Sequence, residues 1–166
     1  MGLILEVEGL HVELPLPAGR LQAVRNVRFE VSQGETLSLV GESGCGKSLT
    51  ALALMDLLPP RAIRRAGKLV FEGRDLSGAA EETMAHLRGN RMAMIFQEPM
   101  TSLNPCYTIG NQLVEAYLQH RQASKREARE RAVFLLEKVG ITAAGSRLKQ
   151  FPHQLSGGLR QRIMIA

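Results

Sequence analysis

The sequence predicts an α/β fold in which a strand-rich first part leads through a glycine-rich strand-to-helix junction into a mostly helical second part. Three observations predict it. Leu3 to Val12 and Leu21 to Val31 alternate apolar and polar side chains at the strand period of two. Thr36 to Val40 is a short apolar run without charge that feeds a glycine-rich stretch and then a helical one. From Met100 onward, apolar residues recur at helical spacing.

The elements follow in order. Leu3, Leu5 and Val7 oppose Ile4, Glu6 and Glu8 until Gly9 breaks the pattern, and Pro15, Pro17 and Gly19 mark a loop. Val27, Phe29 and Val31 then share one face and Arg28 and Glu30 the other, which predicts a half-solvated antiparallel pair. After the turn at Ser32-Gln33-Gly34-Glu35, the run Thr36–Val40 predicts a strand buried on both faces. Leu49 to Leu58 predicts a buried helix beginning near Lys47 and stopped by Pro59-Pro60. Leu69-Val70-Phe71 followed by Glu72-Gly73 is a strand and turn, and Met92 to Phe96 a second all-apolar strand. Ile109, Leu113, Ala116 and Tyr117 place a helix within Thr108–His120. Ser124 with Glu127 is a capping box, opening a helix that carries Ala128, Ala132, Leu135, Leu136 and Val139 on one stripe and stops at Gly140. Ser156 to Ala166 reads as the start of a further helix.

Composition narrows the function classes. At 166 residues, 45% apolar and 22% charged, the chain is of globular rather than disordered type. Lys plus Arg number 21 against 16 Asp plus Glu, a net charge of +5 that permits an anionic ligand without demanding one. The basic residues are scattered, and five Phe and two Tyr are few for stacking on bases, so no nucleic-acid partner is expected. Cys45 and Cys106 cannot build a disulfide framework or a four-ligand zinc site, which fits reduced thiols. Glu6 and Glu8 stand where a signal peptide would need a basic and then an apolar stretch. The longest apolar stretch, Leu49 to Leu58, is broken by Asp56 and is about half of what a membrane span needs.

The chemistry sits at the junction. Gly41-Glu42-Ser43-Gly44-Cys45-Gly46-Lys47-Ser48 matches the P-loop spacing, between a buried strand and a helix. Glycines let backbone N–H groups turn inward onto phosphate oxygens, and the helix N-terminus adds partial positive charge. Lys47 can reach the β- and γ-phosphates and Ser48 can offer its hydroxyl to Mg²⁺. Cys45 stands where only its backbone is needed. A P-loop also needs a carboxylate for the metal and a group to orient water. Leu52 to Asp56 has the apolar-run-then-Asp pattern but lies in the P-loop helix, where Asp56 reads as an exposed or capping residue. Gln97 leaves the end of the Met92–Phe96 strand, where open α/β sheets present ligand groups, and can bind metal or orient water but cannot act as a general base.

Leu155-Ser156-Gly157-Gly158, followed by Leu159-Arg160-Gln161-Arg162, resembles the signature of the ATP-binding cassette (ABC) family. The order P-loop, strand ending in Gln, helical insert, signature spans nearly the whole chain. Gln97 to Pro105, and Phe151-Pro152-His153-Gln154 before the signature, are most similar to ATPase subunits of bacterial di- and oligopeptide importers and of related nickel or glutathione importers.

The resemblance implies a P-loop NTPase of ABC type, with an antiparallel β subdomain and core over about 1–99, a helical subdomain over about 100–154, and the signature and its helix start over 155–166. Gly41 to Leu49 would bind ATP and Ser48 and Gln97 would bind Mg²⁺, with Lys47 and Gln97 catalytic. Val24 would pack on adenine, since no aromatic precedes Phe29 and Leu14-Pro15-Leu16 stand in the matching region. Ser156, Gly157 and Gly158 would face the γ-phosphate of ATP held by a second ATP-binding subunit, two subunits sandwiching two ATPs. The helical insert would dock a short helix of a transmembrane permease subunit, with a solute-binding protein as an indirect partner, at the cytoplasmic face of the cell membrane. The family pattern continues with a strand bearing Asp and Glu, then a D-loop and a switch histidine. The chain therefore reads as a piece of a longer protein, expected to turn over little ATP by itself. The alternatives are a soluble ABC-type ATPase of DNA repair or translation, and a nucleotide-binding module without turnover.

Overall fold

The computed structural model describes residues 2–96 and 102–166. The chain divides into two compact units, Met1–Arg88 and Gly89–Ala166.

The first unit is built on a long antiparallel hairpin, β1 (Leu3–Leu16) and β2 (Gly19–Ser32). Residues 3–12 and 21–31 are thus the antiparallel pair their alternation predicts. Both strands run farther than expected: β1 continues through Pro15 to Leu16, which leaves Pro17-Ala18 as the turn. Gly9, with φ +60°, does not end β1 but shifts its register. Strict alternation would put Gly9 and His11 on the face of Val7. The bulge instead brings Leu10 and Val12 inward beside Val7, and all three are fully buried. The other edge of β1 pairs with two strands in succession, β3 (Ile63–Arg65) at His11–Glu13 and β4 (Lys68–Phe71) at Leu5–Glu8; β4 then pairs with β5 (Arg74–Asp75). Leu69, Leu76 and Met84 join the buried core, Met84 from α2 (Glu81–Leu87).

The strand expected at Thr36–Val40 does not form. These residues make no ladder with any described residue, and Val40 is 93% exposed. Ala93–Phe96 likewise takes no strand, with Ile95 and Phe96 exposed. An apolar run supplies side chains to bury, but a strand also needs a neighbour to receive its N–H and C=O groups. The described antiparallel sheet offers no such neighbour to 36–40.

The helix α1 (Lys47–Leu54) begins where expected and ends earlier than Leu58, because Asp56 turns into the left-handed region at φ +54°. Two arginines take its C-terminal carbonyls. Arg64 donates to Ala53 O (2.7 Å) and Leu76 O (3.0 Å) and pairs with the Asp56 carboxylate at 3.3 Å. Arg88 donates to Met55 O (2.7 Å), Asp56 O (3.1 Å) and the Glu81 carboxylate (2.7 Å). Cations at a helix C-terminus also oppose its dipole. Replacing Arg88 with Met keeps the bulk and removes every donor, leaving part-buried carbonyls without partners. Urea unfolding is expected to show a loss of about 2 kcal/mol; an unchanged midpoint would refute this role.

The second unit is helical: α3 (Ile109–His120), α4 (Lys125–Lys138), α5 (Ala144–Arg147), a 3₁₀ turn at Pro152–Gln154 and α6 (Gly157–Ile165). Ile109, Ala132, Leu136, Ile141, Leu148, Leu155 and Ile163 form its core. The Ser124 capping box is present. Ser124 Oγ accepts from Glu127 N, and Ser124 N and Oγ donate to the Glu127 carboxylate at 2.7 Å. These donors hold the Glu127 carboxyl below its ordinary value near 4.5. Because the folded value is the lower one, the contribution is complete above the ordinary value and fades as pH falls through the folded one. Ser124→Ala is expected to cost about 1 kcal/mol at neutral pH through the lost cap. It should also flatten the stability decline between neutral and acid pH. Chemical denaturation at both pH values checks this.

Candidate functional site

The loop Gly41–Gly46 leads into α1, and β2 lies against its end. An added Cβ on Gly46 would lie 2.6 Å from Ala23 O and 3.2 Å from Val24 Cγ2, and Gly46 itself has φ +92°. Only glycine fits a left-handed residue this close to a neighbouring backbone. Gly44 also has a positive φ, +85°, but open space around it. At the other end, a Cβ on Gly41 would stand 2.6 Å from Cys45 Sγ. The chain thus folds back on itself across the loop, and Cys45 N donates to Glu42 O at 3.3 Å.

Lys47 reaches back across this loop. Its Nζ donates to Gly41 O and Glu42 O, both at 2.7 Å, and lies 3.4 Å from Cys45 Sγ. The ammonium is therefore fixed at the loop by backbone carbonyls rather than left to swing in solvent. Among the described residues no side chain caps α1, so its first-turn amides are not covered from that side. Glu42, Ser43 and Ser48 are exposed, and Leu49 is half-buried. A buried residue that the sequence reading passed over is Thr50, whose N (2.8 Å) and Oγ1 (3.0 Å) both donate to Gly46 O. It locks the first turn of α1 onto the loop; the legible signal was a hydroxyl residue four positions after the helix's capping glycine. Val24, 4% exposed, packs against Gly46 from β2 and pairs across the hairpin with Val12.

An array of loop backbone, one fixed ammonium and an uncapped helix N-terminus suits a phosphate chain. The exposed Ser48 hydroxyl is the group on α1 that could hold a magnesium ion bound to those phosphates. The residues present therefore fit a magnesium nucleotide.

In the second unit, Ser156 caps α6, its Oγ accepting from Leu159 N at 3.4 Å, and Gly157 and Gly158 form the exposed first turn. Buried Leu155 and Ile163 anchor both ends of this segment. Arg162 of α6 donates to Val139 O and Gly140 O, each at 3.2 Å, tying the helix to the end of α4. Gln97 lies outside the described residues.

Residues 24–166 match the family described as ABC transporter. The chain belongs to the ABC transporter family. It is 49% identical over 164 residues to the dipeptide transport ATP-binding protein DppD of Bacillus subtilis, covering 98% of this chain and 49% of that protein. It is 48% identical over 164 residues to the oligopeptide transport ATP-binding protein OppD of the same organism, covering 98% of this chain and 46% of that one. The chain thus spans about half the length of these curated relatives. Among solved structures, the dimeric post-hydrolysis state of the ATP-binding cassette MJ0796 bound to ADP and Pi superposes with a TM-score of 0.79, at 21% identity, covering 97% of this chain and 67% of that one. A second dimeric MJ0796 structure, of a bacterial ABC transporter cassette, gives 0.81 at 22% identity with the same coverage. At this identity the likeness is one of fold, and the fold is that of ABC cassettes.

Proposed function

We propose that this chain is the nucleotide-binding part of the ATP-binding subunit of an ABC importer, which couples ATP binding and hydrolysis to uptake of peptides or similar small solutes. One observation carries the reading: the Gly41–Ser48 cradle, with Lys47 held across it, lies in a chain 49% identical to a dipeptide transport ATP-binding protein. The importer reading is favoured over a repair or translation ATPase because the similar curated relatives are named for peptide transport.

In this reading the loop amides and the α1 N-terminus bind the phosphates, and Lys47 turns from the Gly41 and Glu42 carbonyls toward the transferring phosphoryl group. Ser48, with Gln97, would hold Mg²⁺, which would supply neutralisation of phosphate charge. Val24, the residue the resemblance puts against adenine, is nearly fully buried beside Gly46, where it sets the position of the loop. Ser156, Gly157 and Gly158 offer their helix start to the nucleotide of a second ATP-binding subunit, a reading supported by the dimeric cassettes of the same fold. No helix among the described residues is long and apolar enough to cross a membrane. Permease subunits are the proposed anchor at the cytoplasmic face of the membrane, with a solute-binding protein acting through them.

The test is affinity purification of the full-length protein from detergent-solubilised membranes of its own cells. Co-elution of integral permease subunits, with ATP hydrolysis that rises when a peptide-loaded binding protein is added, is expected. Recovery with nucleic acid or ribosomal material and no membrane protein would overturn the importer reading.

A further inference from the structure

A cleft of about 350 Å³ lies beside α3 and α4, formed wholly within the second unit. Asn90, Tyr117, His120, Arg121 and Arg131 line it, over apolar walls that include Ala116 and Leu135, and among the described residues no carboxylate lines it. None of these five polar side chains has a hydrogen-bond acceptor or an ion-pair partner among the described residues. Several of the chain's other arginines are engaged, by contrast. Arg64 and Arg88 each serve several acceptors, and Arg147 and Arg162 donate to Gln150 and to the end of α4. Arg131 is positioned all the same: its guanidinium stacks 4.8 Å from the Phe134 ring centroid, which leaves the N–H groups on its edge available.

We propose that this cleft is a binding site for a small polyvalent phosphate anion, separate from the nucleotide loop. Two arginine forks, an imidazole, a phenol and an amide present more donors than one carboxylate, with about four acceptor positions, can use. A diphosphate offers more acceptor oxygens and the charge to offset two guanidinium groups.

The test uses inorganic pyrophosphate as the probe and the Lys47→Ala chain, so that the nucleotide loop does not contribute, at about 0.15 M salt to damp diffuse attraction. Calorimetry is expected to find one site per chain. Arg121→Gln with Arg131→Gln should weaken it at least tenfold. Arg126→Gln with Arg129→Gln removes the same charge from α4 outside the cleft and should weaken it less than twofold. Should the first pair fold poorly, amide chemical shifts of the Lys47→Ala chain during the titration give an independent answer, with the largest changes expected at Tyr117, His120 and Arg121. Absence of binding, equal losses for the two pairs, or shift changes elsewhere would overturn the proposal. So would tighter binding of hexaglutamate than of pyrophosphate, which would assign the cleft to a protein partner's carboxylates.

Discussion

Lys47→Ala is expected to lower the affinity of the chain for MgATP by about a hundredfold or more. The ammonium already stands at the loop, on Gly41 O and Glu42 O at 2.7 Å, and exchanges these contacts for phosphate oxygens when the ligand arrives. A charge-assisted hydrogen bond is worth about 1.5–3 kcal/mol, and Lys47 can serve two phosphates at once. Each factor of ten corresponds to about 1.4 kcal/mol, which sets the expected size. Lys47→Arg is expected to fail nearly as badly, because a planar fork cannot occupy a place shaped for a compact ammonium between two carbonyls. Stability should change far less than binding, since the residue is only partly buried at a loop. Comparable MgATP affinity in wild type and Lys47→Ala would remove the lysine from the site.

Gly46→Ala is the second large effect. The new methyl would stand 2.6 Å from Ala23 O, a backbone atom of β2, in a residue with φ +92°. The left-handed conformation alone costs a non-glycine residue about 1–2 kcal/mol. The contact adds to this, because neither β2 nor the loop can yield without disturbing Thr50 on Gly46 O and Val24 in the core. Gly44→Ala separates the two terms: φ is +85° there and nothing lies within 4 Å of the added methyl. Gly44→Ala should therefore show the conformational cost with nucleotide binding reduced only modestly. Gly46→Ala should be less stable still and lose MgATP affinity at least tenfold. Parallel urea unfolding and nucleotide titration of the two variants decide it; equal behaviour would mean that the approach of β2 to Gly46 does not shape the site.

Much of this arrangement was legible in the residues. The hairpin alternation, the Ser124–Glu127 box, the Gly140 stop and the helix start at Ser156 are local devices, each complete within a few positions, and all appear as read. The P-loop spacing is legible for the same reason, and the structure gives Gly46 a left-handed φ and sets Lys47 back across the loop. What failed were the strands at 36–40 and 92–96, the second reduced to an isolated bridge at Met92. Their formation depends on a ladder partner elsewhere, and apolar content says nothing of whether that partner is present. The bulge at Gly9 was visible only as a break, since sequence does not distinguish a strand's end from a shift of its register. Arg64 and Arg88 are two of the scattered basic residues, with nothing local to single them out. Their role as caps on α1 depends on tertiary approach, which no spacing in the chain encodes.

In the function proposed, main-chain amides and one ammonium, shaped in advance at the Gly41–Ser48 turn, hold a nucleotide by its phosphates. The most direct test is calorimetric titration of the chain with MgATP and, separately, with adenosine. Saturable heat with MgATP at a stoichiometry of about one, none with adenosine, and loss of the MgATP heat in Lys47→Ala are predicted. No heat at millimolar MgATP, or equal heats for MgATP and adenosine, would contradict the account.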